Sequence, residues 1–394
     1  MQRILYFFPH KFSSPTNGID TRIITLLEYF KSRGFVVDMI SFNNKEMQSS
    51  YVVDKGLVNA IYYIDNVKGN DEKKRTIAGF LRWKISNQYR KLFPKPVIEA
   101  LPNLMTDALT DKVVSLHKEN TYDTVLVTYT YWADIVKQLK KNKFSGRTII
   151  DPTDFLTLQQ FYGSNQQLPL KNVGIFFGNE LEMMSQFDCI MHISYDECLL
   201  FSSFLPGIRH VYVPQFFEEK KRIGTAAFKY DILFIGSNNP YNVEGINWFL
   251  ESVYPLLDKN LNIAIAGNVC SKIMIDLPNV SKLGFVEDAA ALYSISKCTI
   301  CPLKKGTGMK IKVIESLSYG IPVIGTYKSV DGFLNKKPEG GVMVCNTPML
   351  FAAKIKEITR DTAYYNLQCK LAEKLFKDNF SIEKNFSQLD EIFN

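Results

Sequence analysis

Short apolar runs alternate with longer stretches of helical periodicity. Ile4–Phe8 is an apolar run that predicts a buried strand, followed by a polar loop over 9–18. Thr21–Arg33 carries Ile23, Ile24, Leu27 and Phe30 at helical spacing, and Gly34 is placed to end that helix. Phe35–Phe42 is a second strand. This strand-loop-helix-strand opening predicts a doubly wound parallel sheet. Further buried strands are predicted at Thr124–Thr128, Arg147–Ile150, Cys189–Ser194 and Val211–Pro214.

Residues 215–228 are polar and basic and read as a linker. A second start of the same kind follows. Asp231–Ile235 is a strand, Gly236–Pro240 a tight loop and Val243–Leu257 a helix. Strands at Leu261–Ala266, Val280–Phe285, Cys298–Leu303, Pro322–Thr326 and Gly341–Cys345 continue the alternation. The pattern predicts an α/β chain of two Rossmann-like doubly wound domains, 1–214 and 229–376, facing each other across a cleft. The helical stretch 377–394 is a candidate to pack back on the first domain.

Composition narrows the class. Of 394 residues, 46% are hydrophobic and 22% charged, which excludes disorder, collagen and coiled coil as the main state. No run reaches the ~18 apolar residues of a membrane span, and residues 1–9 lack the pattern expected of a signal peptide. The seven cysteines are irregularly spaced, which argues against a disulfide framework and for a reducing, cytoplasmic setting. The net charge of +7 is concentrated between Lys68 and Lys95, where nine basic residues face only Asp71 and Glu72. Phe80, Trp83, Tyr89 and Phe93 interleave with these cations. Such a stretch suits the anionic inner face of a membrane, more than nucleic acid, or is a solvated helix face.

The most informative segment is Gly306–Thr326. It follows a strand, opens with Gly306-Thr307-Gly308, and enters a helix near Met309 that ends at Gly320, before Pro322 starts the next strand. Two glycines let a ligand approach the backbone, and the helix start favours an anion such as a diphosphate. Lys312 and Glu315 are three residues apart and share one helix face. The cation can hold phosphate oxygens, and the carboxylate can accept hydrogen bonds from two adjacent hydroxyls, as on a ribose.

This segment resembles the donor-binding motif of the GT-B glycosyltransferases in the broad glycosyltransferase family 4, the glycosyl transferases group 1. The resemblance implies that Glu315 holds the ribose of a nucleotide sugar and that Lys312 lies by its diphosphate, with Thr307, Gly308, Met309, Lys310 and Ile311 around it. Many members carry a second Glu eight residues before the first, where this chain has Thr307. Tyr230–Ser237, with Asn242 and Trp248-Phe249 after it, resembles the start of the family's donor domain, so Gly236 and Ser237 are expected to face the diphosphate. The family's Arg and Lys after this loop are absent, which shifts the burden to Lys312 and Lys310. Leu283–Asp288 resembles the loop near the nucleobase, where Phe285 or Val286 lines the base or else sits in the core. Gly18 stands in the place of the glycine-rich loop after the first strand, with Asp20 or Arg22 at the helix start. Asp151–Asp154 resembles an Asp-x-x-Asp stretch, so Asp154 would orient an acceptor hydroxyl or serve as an N-cap. The family's acceptor-loop His is replaced by Thr128–Trp132, whose aromatics could stack on a sugar.

Other chemistries find little support. Cys298 and Cys301 lack partners at zinc spacing, no G-x-S-x-G occurs, no G-x-G-x-x-G follows the first strand, and the Asp-x-Asp metal motif is absent. His10 could face the cleft or be a loop histidine. The expected activity is transfer of a sugar from a UDP- or GDP-sugar to a glycan or lipid-linked glycan. The resemblance implies a retaining, hexosyltransferase-like enzyme; the missing Asp-x-Asp motif and stabilisation of the diphosphate by Lys and the helix start are consistent with no bound metal, and no tightly held cofactor is expected. Lys312, Glu315 and Asp154 are the expected catalytic residues. A nucleotide-sugar epimerase of the same architecture and a non-catalytic partner subunit are the alternatives.

Overall fold

The computed structural model describes residues 2–8, 18–42, 50–64, 101–102, 104–164, 168–220, 222, 228–287 and 289–394. The basic stretch 68–95, His10, Thr16, Asn17, Asp288 and most of the linker expected after Lys220 lie outside the described residues. The chain divides into two compact units. One comprises Met1–His192 with Cys198–Val211, the other Ile193–Glu197 with Tyr212–Asn394.

The N-terminal unit holds a seven-stranded sheet in the order β3-β2-β1-β4-β5-β6-β7. Its strands are β1 (Arg3–Phe7), β2 (Val36–Phe42), β3 (Ala60–Ile64), β4 (Thr124–Thr128), β5 (Arg147–Asp151), β6 (Cys189–His192) and β7 (Arg209–Tyr212). β1 runs parallel to both β2 and β4, so the order reverses between β1 and β4. The central strands are buried over Ile4–Phe7 and Thr124–Thr128, which explains their largely apolar sequence. β7 lies two residues before the stretch expected for it, because Val213 and Pro214 leave the sheet.

Buried charge in this unit has specific partners. Arg22 Nε donates to Asp151 Oδ2 at 2.7 Å, joining the first helix, Gly18–Ser32, to the end of β5. The buried Glu180 carboxylate accepts from the Leu156 and Thr157 backbone N–H groups at 2.7 and 2.9 Å, so it caps the helix Leu156–Gly163 from a distant element. Burial raises its pKa to about 7 despite those donors.

The C-terminal unit holds a six-stranded sheet in the order β10-β9-β8-β11-β12-β13. Its strands are β8 (Tyr230–Ile235), β9 (Ile263–Ala266), β10 (Val280–Gly284), β11 (Ser296–Cys301), β12 (Val323–Gly325) and β13 (Val342–Val344). β8 pairs in parallel with β9 on one side and β11 on the other, so here the order reverses between β8 and β11. The helix expected over Val243–Leu257 runs Pro240–Trp248, then loosens through a π turn and a 3-10 turn as Pro255 interrupts the α-helical ladder. The final helix, Ile382–Phe393, belongs to this unit, and Phe217 bridges to Ser381 just before it.

Glycines bring three strand ends close together. Gly236 N–H donates to Ala266 O at 3.0 Å, and Gly267 N–H donates to Gly284 O at 2.6 Å. Gly267 has φ +93°, and a Cβ there would lie 2.2 Å from Gly236 O. An L side chain is therefore excluded by conformation and by space at once. Gly267→Ala is expected to destabilise the unit by about 3 kcal/mol or more, lowering the Tm by roughly 10 °C. A calorimetric scan matching wild type would contradict this packing.

Candidate active site

In an open parallel sheet, ligands bind beyond the carboxyl ends of the strands where the order reverses. In the C-terminal unit that place is the end of β8 and β11. Two loops leave there. Gly236–Asn239 follows β8 and enters the helix Pro240–Trp248, capped by Asn239 Oδ1 accepting from Tyr241 N–H at 2.9 Å. Pro302–Lys310 follows β11 and enters the helix Ile311–Ser318.

The loops are held against each other by two glycines. A Cβ at Gly245 would lie 2.9 Å from Pro302 O, so the first helix rests on the backbone after β11. Gly306, at φ +110°, sits under the Tyr241 ring, 3.3 Å from where its Cβ would be. Gly308 is at φ +69° with open space beside it. The second helix starts at Ile311, two residues later than expected, and no side chain caps its N-terminus. At its far end the Gly320 N–H donates to Leu317 O and the Ile321 N–H to Ser316 O, a Schellman closure.

The later helix start separates the two lysines. Lys310 takes the cap position, is buried, and its ammonium donates to Thr307 O at 3.0 Å and Gly308 O at 2.6 Å. It ties the glycine loop together, and burial lowers its pKa. Lys312, the second residue of the helix, reaches across to the first turn of the helix that follows β8. Its ammonium donates to Asn242 Oδ1 at 2.6 Å and lies 4.5 Å from the centre of the Phe234 ring. Asn242 Nδ2 in turn donates to Ser237 O at 3.2 Å and Ser237 Oγ at 3.1 Å. Burial brings the Lys312 pKa down to about 8.

Glu315 is partly exposed on the same helix. Its Oε2 accepts from Tyr293 Oη–H at 3.2 Å, and its Oε1 lies 3.7 Å from Lys220 Nζ. Tyr293 stacks on Tyr319 with ring centroids 4.8 Å apart, which fixes the phenol that holds the carboxylate. Thr307 and Ile311 are half-buried, whereas the Met309 side chain joins the core with Val313, Val330 and Phe333. Phe285 is 70% exposed at the end of β10, which overturns its reading as a core aromatic, and Val286 packs inward.

The structure therefore brings together Gly236, Ser237, Gly308, Lys310, Lys312 and Glu315 on one unit. Asp154 and Gly18 belong to the other. Asp154 is half-buried after β5, and burial raises its pKa. Its carboxylate acts on the nearby Tyr129 and Tyr131 phenols. Tyr129 and Thr153, at the ends of β4 and β5, both hold positive φ, of 69° and 60°. Such strain in non-glycine residues clusters at functional positions. Gly18 opens the first helix, Asp20 is buried, and Arg22 is committed to Asp151. Asn242 and Phe234 stood in the stretch that resembles the family's donor domain but had no role there, and Tyr293 gave no signal, since an amide in a helix's first turn and aromatics in a strand or short helix have ordinary structural uses. Among the described residues no group of three His, Cys, Asp or Glu could hold a metal ion.

Residues 229–361 match the family model of the glycosyl transferases group 1. The chain has the GT-B fold. It superimposes on sucrose-phosphate synthase from Thermosynechococcus elongatus with a TM-score of 0.69 and 15% identity, covering 100% of this chain and 98% of that one. HepE of Anabaena, solved in complex with UDP and glucose, gives 0.67 at 12% identity, over 100% and 99%. A TarM mutant of S. aureus, in complex with Fondaparinux, alpha-GlcNAc-glycerol and UDP, gives 0.67 at 11%, over 100% of each. Among curated proteins, an uncharacterized 44.6 kDa protein in the cps region of Klebsiella pneumoniae is 25% identical over 236 residues, 54% of this chain. That match spans 57% of the relative's length.

Proposed function

We propose that the protein is a glycosyltransferase that takes a sugar from a nucleotide diphosphate sugar, with the donor on the C-terminal unit. The observation that carries this reading is the Lys312 ammonium, reaching from the helix after β11 to the start of the helix after β8, where the strand order reverses. A diphosphate there would meet a cation, the backbone of Gly236 and Gly308, and an uncapped helix start. Glu315 would accept from the two ribose hydroxyls, and exposed Phe285 would offer a face to the base. The bound UDP in the HepE and TarM structures favours a uridine donor, and a GDP-sugar fits the same chemistry.

In the proposed reaction an acceptor hydroxyl oxygen bonds to the anomeric carbon as the bond from that carbon to the phosphate oxygen breaks. The hydroxyl proton passes to the departing diphosphate on the same face, so configuration is retained. Lys312 stabilises the negative charge that accumulates on the leaving oxygens. Lys310 acts at one remove, by holding the glycine loop in shape. Asp154, with Tyr129 and Tyr131, would orient a glycan or lipid-linked glycan on the N-terminal unit. The cps-region relative supports a role in polysaccharide assembly. A membrane-bound acceptor would give the basic stretch 68–95 a surface to hold, and no helix among the described residues is long and apolar enough to cross a membrane.

Lys312→Ala is expected to lower kcat by about 100-fold or more, and Glu315→Ala to weaken UDP binding about tenfold. Wild-type transfer in both would refute the assignment. Protonated Lys312 is the form that binds an anion. UDP affinity should therefore hold steady below pH 8 and fall as the ammonium is lost above it. Calorimetric titrations across pH 6.5–9.5 that show no such fall would contradict it. Cosedimentation with anionic vesicles, abolished by high salt, is expected of the full chain. Equal binding to neutral vesicles would remove the electrostatic role of 68–95.

A further inference from the structure

We propose that Asn242 is the positioning residue of the donor site, a neutral clasp that fixes the Lys312 ammonium over the Ser237 loop without cancelling its charge. The inference rests on the reading of Lys312 as the phosphate-binding cation. Asn242 uses both ends of its amide. The oxygen accepts from Lys312 Nζ at 2.6 Å, and the nitrogen donates to Ser237 O and Ser237 Oγ. These bonds fix which end is oxygen, because the ammonium can only donate and the Ser237 carbonyl can only accept. The side chain therefore cannot turn over without losing bonds at both ends.

The chemistry of the partner matters as much as its position. A lysine withdrawn from water is ordinarily paired with a carboxylate. The ionisable groups that bear on Lys312 are the Cys301 thiol, which burial keeps protonated, and the Lys310 ammonium, and no carboxylate among the described residues forms an ion pair with it. Its other neighbour is the face of Phe234. An amide and a ring orient an ammonium but leave its full charge available to an incoming anion. The nearest acidic residue on the same helix as Asn242 is Glu244, and it pairs with Lys305 at 3.2 Å. An Asp at position 242 would have the same shape and would close the ion pair. It would then compete with the diphosphate and repel it.

The experiment uses the full chain with UDP and GDP as probes, and two readouts. The first needs no nucleotide: the pH titration of the Lys312 Cε resonance in ¹³C-lysine protein, assigned by its loss in Lys312→Met. The second is calorimetric affinity at pH 7 and pH 8.5. Asn242→Ala should move the Lys312 midpoint down, and it should weaken UDP binding about tenfold at pH 7 and further at pH 8.5. Asn242→Asp, which keeps the shape and the acceptor, should move the midpoint up by more than one pH unit. It should also lose more than tenfold in affinity at both pH values. An unmoved Lys312 resonance in both variants overturns the clasp, as does unchanged UDP affinity in Asn242→Asp. If the resonance moves as stated while wild type binds neither nucleotide, the clasp stands and the donor-site reading fails.

Discussion

A lysine ammonium half withdrawn from water, and held there by groups that do not neutralise it, organises the C-terminal unit. Lys312 could not occupy this place unless the loops after β8 and β11 lay within a side chain's reach of each other. Gly245 and Gly306 provide that approach by omitting side chains where Pro302 and Tyr241 press in. Removing a cation from water without a counter-charge is unfavourable, and the lowered pKa of Lys312 records that cost. The unit tolerates it at the carboxyl edge of the sheet, where a bound anion would offset it.

The surrounding residues divide the work. Lys310 binds the carbonyls of its own loop and keeps Gly306–Gly308 in the left-handed turns that leave the backbone open. Tyr293 and Lys220 approach Glu315 from two sides. Gly236, Gly267 and Gly284 let three strand ends meet with no side chains between them. In the N-terminal unit, the buried Arg22–Asp151 pair sits beside a strained Tyr129 and Thr153, and the Asp154 carboxylate acts on both Tyr129 and Tyr131.

Much of this order was legible in the sequence. Asp231–Ile235 and Leu261–Ala266 read as strands because a parallel strand covered on both faces has no polar alternation to confuse it, and the second proves to be Ile263–Ala266. The Gly-x-Gly loop and the Gly320 stop located the helix bearing Lys312 and Glu315. The first turn of that helix did not read correctly. Lys310 and Lys312 differ by two positions and look alike in sequence, and only the start at Ile311 sends one into the loop and the other across to Asn242. The role of Asn242 was hidden for a related reason: an amide near a helix start is ordinarily a local cap, and its long-range bond to Lys312 depends on how the loops pack. Glu180 was equally silent, since its partners Leu156 and Thr157 lie 24 and 23 residues away.

The most direct test is a crystal structure of the full chain with UDP. The account places a phosphate oxygen roughly 3 Å from Lys312 Nζ, with the Glu315 carboxylate accepting from the ribose hydroxyls. Nucleotide bound elsewhere, or at the same loops with Lys312 still turned to Asn242 and no phosphate beside it, would contradict the account.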